Sequence, residues 1–384
     1  MNNNCKKPLL DQLYCVSFAA LISGFSVGSL MDFKTDAINE AQFEELITGQ
    51  ITVALEDDYD DHFPLKSLGV NFWSAIDYTV FSEGRPGLVI GEDGWLFSSE
   101  EFTATAGAEQ SLQQNLAFVG WAKQALARQQ IALVVSLVPT KARVLASKLA
   151  ERKPSLLQRS LYPQLLETLD QQGIVVADGL QAMASHGQAE LQFLRNDTHW
   201  TPMGAEQVAV NTAAMVEREF GAMHLHRQPF ITEISAAKNH QGDLLNFLPL
   251  TPWFEGLMPQ PDMLSITTTY AQSTAADDLF GDAPNVEIAL VGTSYSANPK
   301  WNYAGALKQA LSMDVENLSM EGEGPMVPML EFLNTENLDK DAIKLVIWEI
   351  PERYMLFDYS PLYASLLEPL DDTDKRLASF NRKQ

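Results

Sequence analysis

Four short runs of consecutive apolar residues limit what this 384-residue chain can fold into: Ile131–Leu137 (IALVVSL), Gly173–Val176 (GIVV), Val286–Gly292 (VEIALVG) and Lys344–Ile350 (KLVIWEI). All are rich in β-branched residues. A strand that is apolar at successive positions has no face to give to water, so it belongs in a sheet covered on both sides. Between these runs, Glu109–Gln130, Ser155–Gln172, Pro202–Phe220 and Asn302–Leu311 place apolar residues at helical spacing. Strands alternating with helices predict an α/β/α sandwich with a mainly parallel central sheet. One sheet needs the runs on both sides of residue 200, so residues 61–384 read as a single domain, with Ile231–Asp282 as an insertion of loops.

Ahead of that body lie Lys6 and Lys7, a mostly apolar run from Leu13 to Leu30, and then Asp32, Asp36 and Glu40. As a helix the run spans about 27 Å at ~1.5 Å per residue, close to the thickness of a bilayer core. Positive charge before it and negative charge after it predict a body outside the cytoplasm, on the periplasmic side of an inner membrane or free in the periplasm. Residues 1–31 read as an uncleaved signal anchor or as a signal peptide, with Ser26 and Gly28 as small residues a peptidase accepts. From Asp32 to Asp61 ten acidic residues face one basic residue, Lys34, and Ile38, Phe43, Ile47, Ile51 and Leu55 recur at helical spacing. Residues 32–60 therefore read as an acidic helical linker. Cys5 and Cys15 both precede the body, which has no thiol for a disulfide, a zinc-cysteine site or a cysteine nucleophile.

Charge narrows the chemistry further. With 26 Lys and Arg against 50 Asp and Glu, the net charge of −24 argues against a nucleic-acid partner. Neither a metal-binding cluster nor a glycine-rich phosphate loop stands out, so no cofactor is expected. Of six histidines, only His199 sits in a polar turn, Arg195–Trp200, just before a helix start at Thr201-Pro202. An aspartate two residues earlier, Asp197, can reach back to fix the imidazole tautomer. After the run Val286–Val291 comes Gly292-Thr293-Ser294-Tyr295-Ser296, a serine between a buried strand and a helix, displayed where open α/β sheets bind ligands. Together these predict a Ser-His-Asp nucleophilic site. Two more strand ends bring Lys141, Arg143 and Arg353 to the same edge, and Pro139–Lys153 holds five basic residues against one acidic. They read either as an anion-binding crevice or as ion pairs, for example of Arg353 with Glu349 or Glu352. Trp200, Tyr295, Trp301, Tyr303 and Trp348 read as a sugar-binding platform or as core.

The stretches GEDGWLF (Gly91–Phe97), VPTKARV (Val138–Val144), LRNDTHWTPMGAE (Leu194–Glu206), GDLLNFLPL (Gly242–Leu250), LVGTSYSANPKWNY (Leu290–Tyr303) and VIWEIPERY (Val346–Tyr354) resemble the SGNH-hydrolase-like alginate O-acetyltransferases. The resemblance covers about residues 55–355. It implies the SGNH sandwich with a permuted motif order, since the Asp-His pair here precedes the serine, and it carries the catalytic roles onto Asp197, His199 and Ser294. Tyr295, Asn298, Trp301 and Asn302 join Lys141, Arg143 and Arg353 as substrate-binding candidates. The amides of Ser294 and Tyr295, with Asn298 or Asn302, are the expected oxyanion donors. Expected partners are a membrane-bound O-acyltransferase, AlgI, as acetyl source, and periplasmic AlgF, with alginate or an acetyl-carrying partner as the other substrate.

The expected reaction is a double displacement through acetyl-Ser294, with mannuronate in alginate as acceptor. An acetylesterase would use the same triad with water as acceptor, and a non-catalytic scaffold or relay subunit would not use it at all.

Overall fold

The computed structural model describes residues 14–20, 23–24, 48–53, 56–57, 66–185, 187–272, 286–334 and 342–365. Most of the apolar run Leu13–Leu30 and of the acidic linker lies outside the described residues. No described helix is long and apolar enough to cross a membrane. Two compact units emerge, Met1–Glu83 with Leu248–Met258, and Gly84–Phe247 with Pro259–Gln384. In the first, helix α1 (Lys66–Ile76) is tied to the later segment where Asn71 Nδ2 donates to Pro249 O at 2.6 Å and Phe72 meets Phe254 at 6.3 Å. Sequence reading drew its boundary at residue 61, whereas α1 groups with the smaller unit.

The second unit opens with an antiparallel pair, β1 (Leu88–Ile90) and β2 (Leu96–Ser98). It continues with α2 (Ala108–Arg128), β3 (Ala132–Val138), α3 (Lys141–Val144), α4 (Leu156–Gln171), β4 (Val175–Asp178), α5 (Gly179–Ala184) and α6 (Pro202–Phe220). Four short strands follow: β5 (Phe230–Ile234), β6 (Lys238–His240), β7 (Asp262–Leu264) and β8 (Thr267–Ala271). Then come β9 (Ile288–Val291), α7 (Ser294–Ala297), α8 (Tyr303–Leu311), β10 (Glu316–Asn317), α9 (Met326–Asn334), β11 (Leu345–Pro351) and α10 (Ser360–Ser365). The central sheet has the order β10-β9-β11-β3-β4, and every pairing in it is parallel.

The pleat explains the continuous apolar runs. Val134, Val138, Leu290 and Ile347 pack to one side with Val208 and Ala209 of α6 and Leu307 of α8. Their neighbours Val135, Ala289, Val291 and Val346 pack to the other with Val119 of α2, Leu165 of α4 and Met329 of α9. Both faces are therefore dry, and each fully buried Val, Leu or Ile contributes roughly 1.5–3 kcal/mol. The predicted sandwich is the observed one. In Ile231–Asp282, where sequence reading expected loops, β5 pairs with β8 and β6 with β7, both antiparallel. These strands have three to five residues each, too few to give a clear alternation.

A single polar residue interrupts β3. Ser136 is fully buried, and its Oγ lies 2.7 Å from Tyr303 Oη on α8 and 3.1 Å from Thr212 Oγ1 on α6. This pins both helices to the sheet, since a buried hydroxyl without a partner is costly. The strand register sets Pro351 beside Val138 and Trp348 beside Val291, so the carboxyl ends of β3, β9 and β11 share one edge. Replacing Tyr303 with Phe keeps the ring and removes one buried hydroxyl; the expected cost is about 1 kcal/mol in urea unfolding, and an unchanged midpoint would contradict the pinning role.

Candidate active site

Beyond β9 the chain turns sharply at Gly292-Thr293 and enters α7 with Ser294 as its first residue. Thr293 caps the helix, its Oγ1 accepting from Tyr295 N at 3.3 Å. Beneath the turn lies Glu349 of the neighbouring strand β11, fully buried. Its carboxyl accepts from Thr293 N at 2.7 Å, Thr293 Oγ1 at 3.0 Å and Ser296 Oγ at 3.0 Å. A Cβ on Gly292 would stand 2.5 Å from Glu349 Oε2, so glycine is what lets the carboxylate seat against the turn. Burial pushes this carboxyl up to about 7 against its hydrogen bonds.

The partner loop, Arg195–Trp200, is not a strand end of the central sheet. An isolated bridge between Phe193 and Trp200 closes it, and α6 follows, capped by Thr201 Oγ1 accepting from Gly204 N at 3.1 Å. Two bonds lace it to the serine turn: Trp200 Nε1 donates to Tyr295 O at 3.2 Å, and Tyr295 Oη donates to Thr198 O at 2.6 Å. The result aligns three side chains. Asp197 Oδ1 lies 2.6 Å from His199 Nδ1, and His199 Nε2 lies 2.8 Å from Ser294 Oγ. Trp301 stacks on the imidazole at 5.1 Å and 21°, and Tyr295 covers it at 4.8 Å and 49°. Burial acts to raise the Asp197 carboxyl, but hydrogen bonds from His199 and His240 outweigh it and hold the group well below the usual carboxylate range.

Other sequence candidates have different tasks. Lys141 is 0% exposed and donates to Leu96 O, Arg195 O and Asp197 O, the last two at 2.9 Å. It thus supports the Asp-His loop from below rather than meeting a substrate, and burial pushes its ammonium down to about 8. Arg143 forks onto Glu352 at 2.8 and 2.9 Å and donates to Gln158 O. Arg353 is buried with its guanidinium over the rings of Tyr295 and Tyr354. The expected cationic crevice is therefore corrected: these residues build the framework. A cavity of about 310 Å³ gathers Arg143, Arg152, Lys153 and Arg159, but neither His199 nor Ser294 lines it.

Tyr295 is pinned, with its amide already bonded to Thr293 Oγ1. Asn298 accepts from Lys300 N at 3.1 Å, and Asn302, at φ 53°, donates to Thr269 Oγ1 at 3.0 Å. The amide of Ser294, first in its helix, has no acceptor within that helix. Trp200, Tyr295, Trp301, Tyr303 and Trp348 are all at most 2% exposed, so they form core and not a sugar platform.

Two residues of the site escaped sequence reading. His240 Nε2 lies 2.9 Å from Asp197 Oδ2, and Asp243 accepts from Thr198 N at 2.8 Å and from Thr198 Oγ1 at 2.5 Å. The segment crosses so close that a Cβ on Gly242 would stand 2.0 Å from Asn196 O. The one legible signal was the His-Gln-Gly-Asp turn, His240–Asp243, which has no regular spacing to Asp197. Asp197, His199 and Asp243 bring ligand-type atoms within 4.8 Å of one another, although 2.6 Å between Nδ1 and Oδ1 is a hydrogen-bond separation.

A parallel sheet between helix layers, with a serine at a strand's carboxyl end and an Asp-Xaa-His loop feeding it, defines an SGNH-hydrolase-like domain. Residues 88–352 match the model of the SGNH hydrolase-like domain of the acetyltransferase AlgX. The chain belongs to this family of acetyltransferases. It is 41% identical over 392 residues to the probable alginate O-acetylase AlgJ of Pseudomonas aeruginosa, covering 99% of each chain. To the protein of the same name from Pseudomonas putida it is 42% identical over 377 residues, 95% of this chain and 96% of that one. Among solved structures, the O-acetyltransferase domain of Pseudomonas putida AlgJ matches with a TM-score of 0.66 and 42% identity, over 74% of this chain and 99% of that one. Pseudomonas aeruginosa AlgX matches at 0.52 and 25%, over 70% and 66%.

A stability test follows from Glu349. Its folded-state pKa, about 7, lies above the ordinary value of 4.5, so between these limits the folded protein binds a proton the unfolded chain has lost. Stability from this group is full below about pH 4.5 and is lost as pH rises through 7. Glu349→Gln does not titrate there; wild type should lose up to ~3 kcal/mol relative to the variant from pH 4.5 to 8. Urea curves at both ends that keep a constant difference would refute this.

Proposed function

We propose that this protein is an O-acetyltransferase that acetylates mannuronate residues of alginate through an acetyl-Ser294 intermediate. The carrying observation is the hydrogen-bonded line from Asp197 through His199 to Ser294, in a chain 41–42% identical to probable alginate O-acetylases. Because the Asp197 carboxylate only accepts, His199 Nδ1 carries the proton, and Nε2 is free to take one from the serine hydroxyl. Ser294 Oγ attacks the acetyl carbonyl, His199 becomes imidazolium, and Asp197 stabilises that charge. Collapse breaks the acetyl–donor bond while Nε2 returns the proton to the leaving group. In the second half, a mannuronate hydroxyl gives its proton to Nε2 and attacks the ester, the bond to Ser294 breaks, and the serine oxygen is reprotonated. The Ser294 amide supports an oxyanion site beside the attacked carbonyl.

Transfer to water would make the same site an acetylesterase. Membership in an acetyltransferase family favours a sugar acceptor, and the aligned triad favours an enzyme over a scaffold. Acetyl-CoA is cytoplasmic, so a periplasmic enzyme takes acetyl from across the membrane. AlgI as acetyl source and AlgF as periplasmic partner, which the family resemblance implies, complete the proposal; relatives named AlgJ and AlgX support an alginate-acetylation system. Alginate enters as a polyanion meeting a chain of net charge −24, so binding of long polymer rests on partners more than on this surface.

Incubation with a chromogenic acetyl ester should leave one acetyl group on the peptide containing Ser294, read by mass spectrometry. Ser294→Ala should abolish that label and lower the rate at least 1,000-fold. Acetylation of polymer that survives Ser294→Ala would defeat the proposal.

A further inference from the structure

We infer that His240 is a positioning residue for the reaction: it donates its Nε2 proton to Asp197 Oδ2 and so holds the carboxylate with Oδ1 toward His199. The inference rests on the Ser294 reading above. Asp197 is 3% exposed, and its oxygens divide their partners cleanly. Oδ1 takes His199 N at 3.0 Å and His199 Nδ1 at 2.6 Å; Oδ2 takes His240 at 2.9 Å and the Asp243 amide at a longer 3.3 Å. Without His240, Oδ2 keeps only the weaker bond, and rotation of the carboxylate about its Cβ–Cγ bond is resisted mainly from the Oδ1 side.

The fold secures this contact from outside the central sheet. His240 ends β6, where it pairs with Asp262 of β7, and the Asp262 carboxylate accepts from Arg195 N and Asn196 N, both at 2.9 Å. Asn196 Nδ2 donates to Gln260 O at 2.7 Å, and Gly242 passes directly over Asn196. One strand pair thus grips the catalytic loop at its amides and at its carboxylate. Trp301 couples the two imidazoles: it stacks on His199 and meets His240 edge-on at 5.7 Å and 86°. The charged groups facing this cluster are Asp197, His199, Asp243 and Asp262, with the Lys141 ammonium on Asp197 O.

Loss of carboxylate alignment lowers the maximal rate, since small misplacements in such sites are expensive.

The test uses the full-length protein and a chromogenic acetyl ester, comparing His240→Ala, His240→Gln and His240→Asn. His240→Ala should lower kcat roughly 10-fold to 100-fold with little change in KM. Gln places an amide N–H where Nε2 stood and should restore most of kcat; Asn, whose amide stops near the Nδ1 position, should not. If His240→Ala fails to fold, the Gln and Asn pair carries the comparison. A loss expressed mainly in KM, or equal behaviour of Gln and Asn, would overturn the inference. Ser294→Ala in parallel separates the cases: retained activity there defeats the triad itself, while lost activity beside an unaffected His240→Ala defeats only the role of His240.

Discussion

A buried carboxylate with all its hydrogen-bonding capacity in use organises this site. Asp197 gathers donors from its own loop and from a strand pair more than forty residues further along the chain, and it is nearly sealed from water. An ionised group there is tolerable only because every oxygen is bonded. That requirement reaches outward. It fixes the proton positions on two imidazoles, orders the loop before α6, and explains why Lys141 sits under the same backbone.

The rest of the buried charge follows similar logic. Glu349 seats the serine turn, Glu352 receives Thr140 and Arg143, and the Glu101 carboxylate accepts from Ala142 N at 2.6 Å. Each sits at or just beyond a strand's carboxyl end and holds a neighbouring connection by its amides. Such groups cost desolvation energy, so they serve less to stabilise the chain than to make one loop arrangement the only satisfied one. A protein of strong net negative charge has used several of its cations inside, where they neutralise this scaffold.

Strands and helices were legible because their apolar patterns are local and the sheet is dry on both faces. Asp197, His199 and Ser294 were legible for a related reason: Asp-Xaa-His before a helix, and a serine just after a buried strand, are short patterns with a direct geometric meaning. Lys141, Arg143 and Arg353 misled because residue type reveals charge but not what receives it: carbonyls for Lys141, a carboxylate for Arg143 and the rings of Tyr295 and Tyr354 for Arg353. Their position at the edge was read correctly and their direction was not. Aromatic residues near the motifs read either as a sugar platform or as core, and their burial decides for core. His240 was out of reach, since its link to Asp197 depends on two three-residue strands whose pairing leaves no periodic trace.

Trp301 stacked on the catalytic imidazole and Tyr295 tilted against it restrict how a reaction can be ordered. The ring exchanges protons only in its own plane, at the single nitrogen that looks toward Ser294. Leaving group and incoming hydroxyl must therefore use the same place at different times. For the proposed transfer this means substituted-enzyme kinetics: the donor departs before the acceptor enters, and plots at several fixed acceptor concentrations run parallel. An acetylated resting form then becomes a state with its own lifetime, set by how slowly water takes the position reserved for sugar.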